Sequence, residues 1–487
     1  MLHDKIKQKK VHINELFDKN EKGDIASRVL SFLKPFEIKS ISGLCGLDEI
    51  KKKGYGVSDL LRVLLLMPFV GSMNVWTLYQ SGYQFLTEAQ KDAFYRLKNN
   101  SAINWRKILY AFCKRFKALT KNKGEAKGTG IKCLILDDSD IHKSGLRIEN
   151  ISKIWDHVIG KSVLGYKLLV CAFYDGVSLL PLDFTLHREK GKNKKMPYGL
   201  KRRVLQKQSS KNRTKDSAGE KRSKECNMNK IEAGIQMLKR AVRNGFVPDY
   251  VLSDGWFFCL KLLQEVKALK KSAVHLLCMG KMGKINFEWM GKEYSAGQLL
   301  KHLQGKKKRC RKVNSFYIKC VVTYKGETIK LFFSRFSKHS KWRLLVSTDL
   351  ELSYIKAIEI YQIRWGIEVM FKELKQYLNI EKCQSQDFDA QIADTTLRMI
   401  QYLILSFKKR FESYETLGGV FRHSKQLLQE MVLAERLWFL FLEIIREVGE
   451  TLEIDVTDLI EKMIWYKKTE NIIYKLLSPD EQFDKVA

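Results

Sequence analysis

The spacing of hydrophobic and polar positions predicts a helical region followed by an α/β region. Within residues 1–125, apolar residues recur at the three- and four-residue spacing of a helix, for example at 60–69 and 103–119. A glycine- and lysine-rich stretch at 121–130 then leads into an apolar run that begins at Ile131. We therefore predict a basic helical domain over 1–125 and a new domain from residue 131.

Short apolar runs alternate with helical patterns in the next part of the chain. Five of these runs are predicted as strands, at 131–136, 166–173, 177–186, 250–254 and 273–279. Helical spacing at 231–242 and 257–269 lies between the later runs. This alternation is typical of an α/β fold, so we predict a mixed sheet whose first part spans 131–283.

Two segments depart from the α/β alternation. Residues 188–225 hold 15 Lys and Arg against 4 Asp and Glu, which is typical of a solvated segment, and we predict an exposed or disordered basic loop there. Hairpin patterns fill residues 284–349 and predict a β-rich insertion, which also contains the basic run 306–312.

The remainder of the chain has helical spacing throughout. We assign 350–385 to the final helix of the α/β core and 386–487 to a helical C-terminal domain. The apolar stripes of that C-terminal domain suit either a dimer interface or an internal core.

Composition and charge narrow the class of partner. The 487 residues include 88 Lys and Arg against 54 Asp and Glu, a formal net charge of +34, which predicts a polyanionic partner. The hydrophobic fraction of 45% excludes a disordered basic arm. Because no apolar run approaches the roughly 18 residues of a membrane span, we expect a cytoplasmic protein without a membrane partner.

One helix pattern, 355–378, carries an unusual polar stripe. Tyr361, Arg364, Glu368 and Lys375 fall within about 60° of arc at the helical rotation of about 100° per residue. A charged row is most often the solvated face of a helix. This row, however, places one carboxylate among cationic groups, and could hold a metal with its acid and phosphates with its bases.

Two acids upstream of this helix point to a metal site. Asp137 and Asp254 each follow an apolar run that predicts a strand. An isolated aspartate in this position is more often a turn or helix-capping residue. Together with Glu368 in a strongly basic chain, these residues predict a two-metal site for phosphodiester chemistry, because divalent cations prefer oxygen ligands.

The spacing Tyr361-x2-Arg364-x3-Glu368-x6-Lys375 resembles the YREK signature of bacterial insertion-sequence transposases. These enzymes carry a DDE active site on an RNase H-like core. The resemblance covers about residues 131–380 of this chain. It implies an α/β fold with an RNase H-like mixed-sheet catalytic core and a β-rich insertion, flanked by helical N- and C-terminal domains.

The resemblance also implies the catalytic and metal-binding residues. Asp137, Asp254 and Glu368 match the acidic triad, which binds two Mg²⁺ ions, with Mn²⁺ as a substitute. Asp138 remains an alternative to Asp137, because a strand that is covered on both faces does not reveal which face holds the site.

Further residues match DNA-contacting positions of the family. Tyr361, Arg364 and Lys375 are implied to contact the phosphate backbone near the cleaved end. Trp342 precedes the predicted last strand of the insertion, where relatives that form a DNA hairpin stack a tryptophan on a flipped base. Core packing is the alternative role for this tryptophan.

The function implied is cut-and-paste transposition. Such an enzyme binds the inverted-repeat ends of an insertion sequence, cleaves them through a DNA hairpin and joins the 3′ ends to target DNA. Its partners are double-stranded DNA and a second copy of the chain in a paired-end complex, and it is nucleoid-associated in the bacterial cytoplasm. Two alternatives are a structure-specific nuclease on the same core and a non-catalytic DNA-binding protein derived from a transposase.

Overall fold

The computed structural model describes the central part of the chain. The described residues are 32–72, 74–80, 86–122, 130–283, 285–337, 339–412 and 414–452. Parts of the predicted terminal domains and linker, at 1–31, 81–85, 123–129 and 453–487, lie outside the described residues. Contacts divide the chain into one unit of Met1–Ile38, Asp59–Lys91 and Gly419–Ala487 and another of Lys39–Ser58 and Asp92–Gly418.

Helices occur in both units. In the described part of the chain they are α1 (Ile38–Cys45), α2 (Leu47–Ile50), α3 (Val57–Leu66), α4 (Val75–Gln80), α5 (Lys91–Lys98), α6 (Trp105–Asn122), α7 (Arg202–Gln206), α8 (Ala218–Glu225), α9 (Lys230–Arg243), α10 (Leu260–Lys267), α11 (Ala296–His302), α12 (Tyr354–Gln362), α13 (Trp365–Gln376), α14 (Phe388–Phe411) and α15 (Leu417–Thr451). Short 3-10 helices lie at Lys34–Phe36, Pro197–Gly199, Leu269–Ser272 and Gln304–Lys306. A search of the described helices finds none that combines the length and apolar character of a membrane span.

A single mixed sheet of 12 strands organises the second unit. The strands are β1 (Cys133–His142), β2 (Ser152–Asp156), β3 (Lys161–Tyr174), β4 (Leu179–His187), β5 (Tyr250–Ser253), β6 (His275–Gly280), β7 (Asn286–Trp289), β8 (Lys292–Ser295), β9 (Lys308–Cys310), β10 (Ser315–Tyr324), β11 (Glu327–Arg335) and β12 (Arg343–Ser347). The sheet carries both parallel and antiparallel pairs, as the α/β alternation predicts.

Five strands form the central part of this sheet, in the order β4-β3-β1-β5-β6. β1 pairs antiparallel with β3 and parallel with β5, and β5 pairs parallel with β6. Every residue of β4 is buried, and helices α6, α9 and α14 contact this strand. A strand in this situation has no solvent face, which explains its nearly continuous apolar sequence. The architecture is consistent with an RNase H-like DDE domain, and the predicted fold class is confirmed.

The strands of the predicted β-rich insertion extend the same sheet. β12 pairs antiparallel with β6, and β11, β10, β7 and β8 follow outward, with β9 on β10. The sequence patterns located β7, β10, β11 and β12 but missed β8, β9 and α11. The insertion therefore continues the central sheet edge to edge.

The prediction of an exposed or disordered loop at 188–225 is wrong for much of that segment. It contains α7 and α8, and several of its cations form ion pairs with acids outside the segment. Arg213 lies 2.6 Å from Glu149 and 3.0 Å from Asp389, while Lys211 lies 2.8 Å from Asp387. The acidic partners come from distant parts of the sequence, so a local count of charges does not reveal them.

Candidate active site

The two predicted aspartates emerge at one edge of the central sheet. Asp137 lies within β1 and not after its end, because the strand continues beyond the apolar run. β1 pairs with β5 only as far as Leu136, opposite Ser253, where β5 ends. Asp137 is thus the first residue of β1 past that pairing, and Asp254 directly follows β5.

The predicted helix at 355–378 is divided in two. α12 ends before Ile363 and Arg364, which keep helical backbone angles, and α13 begins after them. The amides of Gly366 and Ile367 donate hydrogen bonds to the carbonyls of Ile363 and Arg364, three residues earlier. This tight turn leaves Arg364 and Glu368 on the same side of the helix pair.

Arg364 connects the helix stripe to the strand. Its Nη1 lies 2.6 Å from Asp137 Oδ2, and its Nη2 lies 2.5 Å from Glu368 Oε1. The Tyr361 hydroxyl donates a hydrogen bond of 3.3 Å to the carbonyl of Ser253, next to Asp254. Three of the four stripe residues therefore face the edge where the aspartates emerge.

The fourth stripe residue makes a different contact. Lys375 lies nearly two turns beyond Glu368 on α13, and its Nζ is 3.4 Å from Glu381 Oε1. The structure thus brings Tyr361 and Arg364 to the acids and leaves Lys375 beside a separate carboxylate.

Asp137 and Asp138 point to opposite faces of β1, as successive strand residues do. Asp137 meets Arg364 between α12 and α13, whereas the carboxylate of Asp138 lies 3.0 Å from Nζ of Lys230 on α9. The Asp138 amide donates a hydrogen bond to Asp137 Oδ1 at 2.9 Å. Glu368 lies on the same side as Asp137.

The acids repel one another in a partly buried setting. Burial raises the pKa of Asp137 to about 7, with a further increase from the charge of Asp254, while Arg364 opposes both effects. The pKa of Asp254 is also raised, first by burial and then by the charge of Asp138. A carboxylate whose pKa is raised by its neighbours is stabilised when a cation binds between them.

The donor types suit a divalent metal, although Arg364 lies between Asp137 and Glu368 and, among the described residues, the three acids do not bring their ligand atoms within 4.8 Å of one another. Asp137, Asp254 and Glu368 supply carboxylate oxygens, which Mg²⁺ prefers, and the Glu368 side chain is 36% exposed. Among the ion pairs of the described residues, Arg364 pairs with Asp137 and Glu368, and Lys230 pairs with Asp138. The four acids, counting Asp254, therefore have two cationic partners in that part of the chain. These residues therefore carry surplus negative charge that a metal would neutralise.

A second group of potential metal ligands was not predicted. Asp140, His142 and Asp156 place one ligand atom each within 4.8 Å of one another. His142 Nε2 lies 2.8 Å from Asp156, and Lys167 Nζ lies 2.5 Å from Asp140. Asp140 and His142 are two residues apart on β1, which indicates that they share a face. The sequence did not indicate that β2, which carries Asp156, lies near them. Lys167 already neutralises one of the two carboxylates of this group.

Trp342 occupies the predicted place directly before β12. It is half-buried, and the guanidinium carbon of Arg335 lies 5.0 Å from its ring centroid. β12 runs antiparallel to β6, with Leu344 opposite Gly280 at the end of β6. The start of β12 and the end of β5 therefore lie at the same edge of the sheet, which is also the edge of Asp254.

Two protein families match parts of this chain. Residues 222–404 match the family described as Transposase DDE domain, and residues 78–274 match the family described as DDE superfamily endonuclease. A search of curated proteins gives no match. The matches support a DDE-superfamily transposase with nuclease activity and a role in DNA recombination, and members of this superfamily bind DNA and use divalent metals. The first match contains Asp254 and Glu368, and the second contains Asp137.

Proposed function

We propose that this chain is a cut-and-paste transposase of the YREK-signature branch that cleaves the ends of an insertion sequence. Asp137, Asp254 and Glu368 are its catalytic and metal-binding residues, and they hold two Mg²⁺ ions, for which Mn²⁺ substitutes. The observation that supports this most strongly is the contact of Arg364 with both Asp137 and Glu368, since it links acids 231 residues apart at one sheet edge.

Asp137 is a better candidate than Asp138 for the first metal ligand. It points to the face of the sheet on which Glu368 lies, and Arg364 contacts both carboxylates. Asp138 points toward α9, where Lys230 neutralises it. When bound, divalent cations supply an activated water and charge stabilisation for in-line displacement at phosphorus.

The cationic residues around the acids bind and orient DNA in this proposal. Arg364 has five N–H donors, of which the contacts with Asp137 and Glu368 use two, so donors remain for a phosphate oxygen. Tyr361 and Lys375 extend the same stripe along the DNA backbone. Trp342 stacks on a flipped base during hairpin formation, and its contact with Arg335 adds positive charge beside that base.

The proposed cycle uses one site repeatedly. Water first cuts one strand at the element end, the freed 3′-hydroxyl attacks the opposite strand to form a hairpin, and water reopens it before joining to target DNA. We also propose that two copies of the chain act together on paired ends in the bacterial nucleoid, and that residues 1–125 bind the inverted repeats.

The first experiment uses DNA from the flanks of the gene, where the inverted repeats are expected. Glu368→Gln should reduce Mg²⁺-dependent cleavage to background and preserve binding of the end, since the fold and the cationic surfaces remain. Glu373→Gln, on the same helix and outside the acid cluster, is the matched control and should retain cleavage. Wild-type cleavage by Glu368→Gln would exclude the proposed triad.

The later steps need separate assays. Trp342→Ala should slow hairpin formation more than the first nick, because a stacked base contributes about 1–3 kcal/mol. Equal loss of both steps would contradict base flipping. Precut ends mixed with target DNA then separate a transposase, which joins them, from a nuclease, which does not.

A further inference from the structure

Alternating cationic and aromatic side chains cross four strands at one edge of the sheet. The cation–aromatic row consists of Arg309 on β9, Phe316 on β10, Arg335 on β11 and Trp342 directly before β12. Strand register places Phe316 opposite Arg309 on one side and opposite Arg335 on the other. The four side chains are therefore neighbours across the sheet although the sequence separates them.

The contacts within the row follow one repeating pattern. The guanidinium carbons of Arg309 and Arg335 lie 5.7 and 5.9 Å from the Phe316 ring centroid, and Arg335 lies 5.0 Å from that of Trp342. Lys307 Nζ is a further cation 5.4 Å from Phe316. Both aromatic rings thus lie among positive charges.

The row is accessible where the hydrophobic core ends. The next row on the same face, Ile318, Phe333 and Leu344, is fully buried. Phe316, Arg335 and Trp342 are half-buried, and Arg309 is exposed. The row therefore combines rigid strand positions with accessible side chains.

The arginines of the row are available for an anionic partner. Neither Arg309 nor Arg335 forms an ion pair with any residue in the described part of the chain, whereas Arg213 and Arg240 are paired there. Arg335 Nε is also buried with no hydrogen-bond partner. An unsatisfied buried donor costs stability, and an added acceptor would recover it.

The topology places the row at the same strand-end edge of the sheet as the proposed active site. Two strand spacings separate β5, which ends before Asp254, from β12, and two more lead to β10. With about 4.8 Å between strands, Trp342 lies about 10 Å and Phe316 about 19 Å along the edge from Asp254. The strand registers place the row on the sheet face of Asp138, opposite to the face of Asp137 and Arg364. A DNA strand that leaves the cut site and passes around this edge to the other face would reach the row.

We propose that the cation–aromatic row binds an unpaired DNA strand next to the cleaved end. Bases stack on Phe316 and Trp342, and Arg309 and Arg335 contact the phosphates. An unpaired strand fits better than a duplex because stacking on these rings requires free base faces. This inference rests on the proposed transposase function and extends the DNA-binding site beyond Trp342.

The test measures binding of a fluorescein-labelled oligothymidine to the full chain by fluorescence anisotropy. Phe316→Ala should raise the Kd about fivefold to 150-fold, as expected for loss of one stacked base. Arg309→Gln should reduce the slope of log K against log salt by roughly 0.7, the contribution of one phosphate contact in a single strand. Phe316→Leu preserves apolar packing and should still bind weakly, which separates stacking from folding.

Matched controls lie in the same sheet. Lys308→Gln removes an exposed cation from the opposite face of β9, and Trp155→Ala removes an exposed aromatic from β2 at the far side of the sheet. Both should bind oligothymidine like the wild type. The proposal would be overturned if the control variants lost as much oligothymidine affinity as Phe316→Ala, or if Phe316→Ala bound oligothymidine like the wild type. It would also be overturned if Phe316→Ala lost as much affinity for a blunt duplex as for oligothymidine.

The result is independent of the catalytic assignment. If oligothymidine binding does not depend on Phe316 while cleavage depends on Glu368, the row does not bind an unpaired strand and the transposase assignment remains. If cleavage does not depend on Glu368, the assignment of the triad fails whatever the oligothymidine result.

Discussion

Two groups of acids in the same sheet have opposite electrostatic surroundings. Asp183 on β4 is 1% exposed and lies 2.8 Å from Arg106 and 2.7 Å from Arg240, with Arg222 at 3.9 Å. Burial alone would raise its pKa, but the three arginines hold it below the ordinary value. With Glu225 beside it, three cations meet two carboxylates.

The acids at the edge of β1 and β5 lack this compensation. Arg364 is the cation that contacts Asp137, and the pKa of Asp137 stays raised at about 7 because of burial. The comparison shows that buried charge in this protein is neutralised where it holds helices to the sheet. It is left in excess where we propose that metal ions bind.

The largest expected effect on stability concerns Asp183. Asp183→Asn removes one partner of three arginines and should lower the free energy of unfolding by about 3–5 kcal/mol, as breaking a buried ion pair does. Urea denaturation followed by circular dichroism measures this change. Glu232→Gln, which breaks an exposed pair with Lys261, should change stability by less than about 1 kcal/mol. Similar effects of both variants would contradict the proposed difference between buried and exposed pairs.

An intermediate effect on stability concerns His187, whose pKa is influenced by an acid from each of the two groups. Its pKa is lowered to about 4, first by burial and then by Lys230, while Glu225 and Asp138 oppose this shift. Between pH 6.5 and 4 the unfolded chain takes up a proton that the folded chain does not. The free energy of unfolding should therefore fall by up to about 3 kcal/mol as the pH falls through this window.

Comparing wild type with His187→Gln isolates this contribution, since the variant should lack that part of the pH dependence. Identical profiles would show that His187 titrates normally. In addition, Lys230→Met should raise the pKa of His187, measured by NMR titration of the ring, because it removes a nearby positive charge.

The smallest effect concerns Asp137 and has the opposite sign to that of Asp183. Because the pKa of Asp137 is raised in the folded chain, ionising it as the pH rises from about 4 to about 7 costs stability. In a metal chelator above pH 7, Asp137→Asn should therefore be more stable than wild type by about 1–2 kcal/mol, while cleavage is lost. A loss of stability as large as that of Asp183→Asn would place Asp137 among the structural acids.

The sequence predicted the parts of the site that depend on local periodicity. The stripe of Tyr361, Arg364 and Glu368 follows from helical spacing, and Asp137 and Asp254 from the ends of apolar runs. The family resemblance indicated Trp342, from its place at the start of a strand that hairpin signals had located. These features depend on neighbouring residues, which the sequence displays directly.

Features made by distant residues could not be predicted in this way. Asp183 lies 77 residues from Arg106 and 57 from Arg240, so nothing local indicates that they form ion pairs. For the same reason the segment 188–225 was predicted as a loop, although Lys211, Arg213 and Arg222 have buried acidic partners. The cation–aromatic row likewise required the register of β9, β10 and β11.

Equilibrium binding of Mn²⁺, followed by electron paramagnetic resonance, tests the central claim most directly. We predict that wild type binds Mn²⁺, that Asp254→Asn and Glu368→Gln bind it much more weakly, and that His142→Gln and Glu373→Gln bind it like wild type. Undiminished binding by Asp254→Asn and Glu368→Gln, with loss in His142→Gln, would contradict the account and place the metal at Asp140, His142 and Asp156.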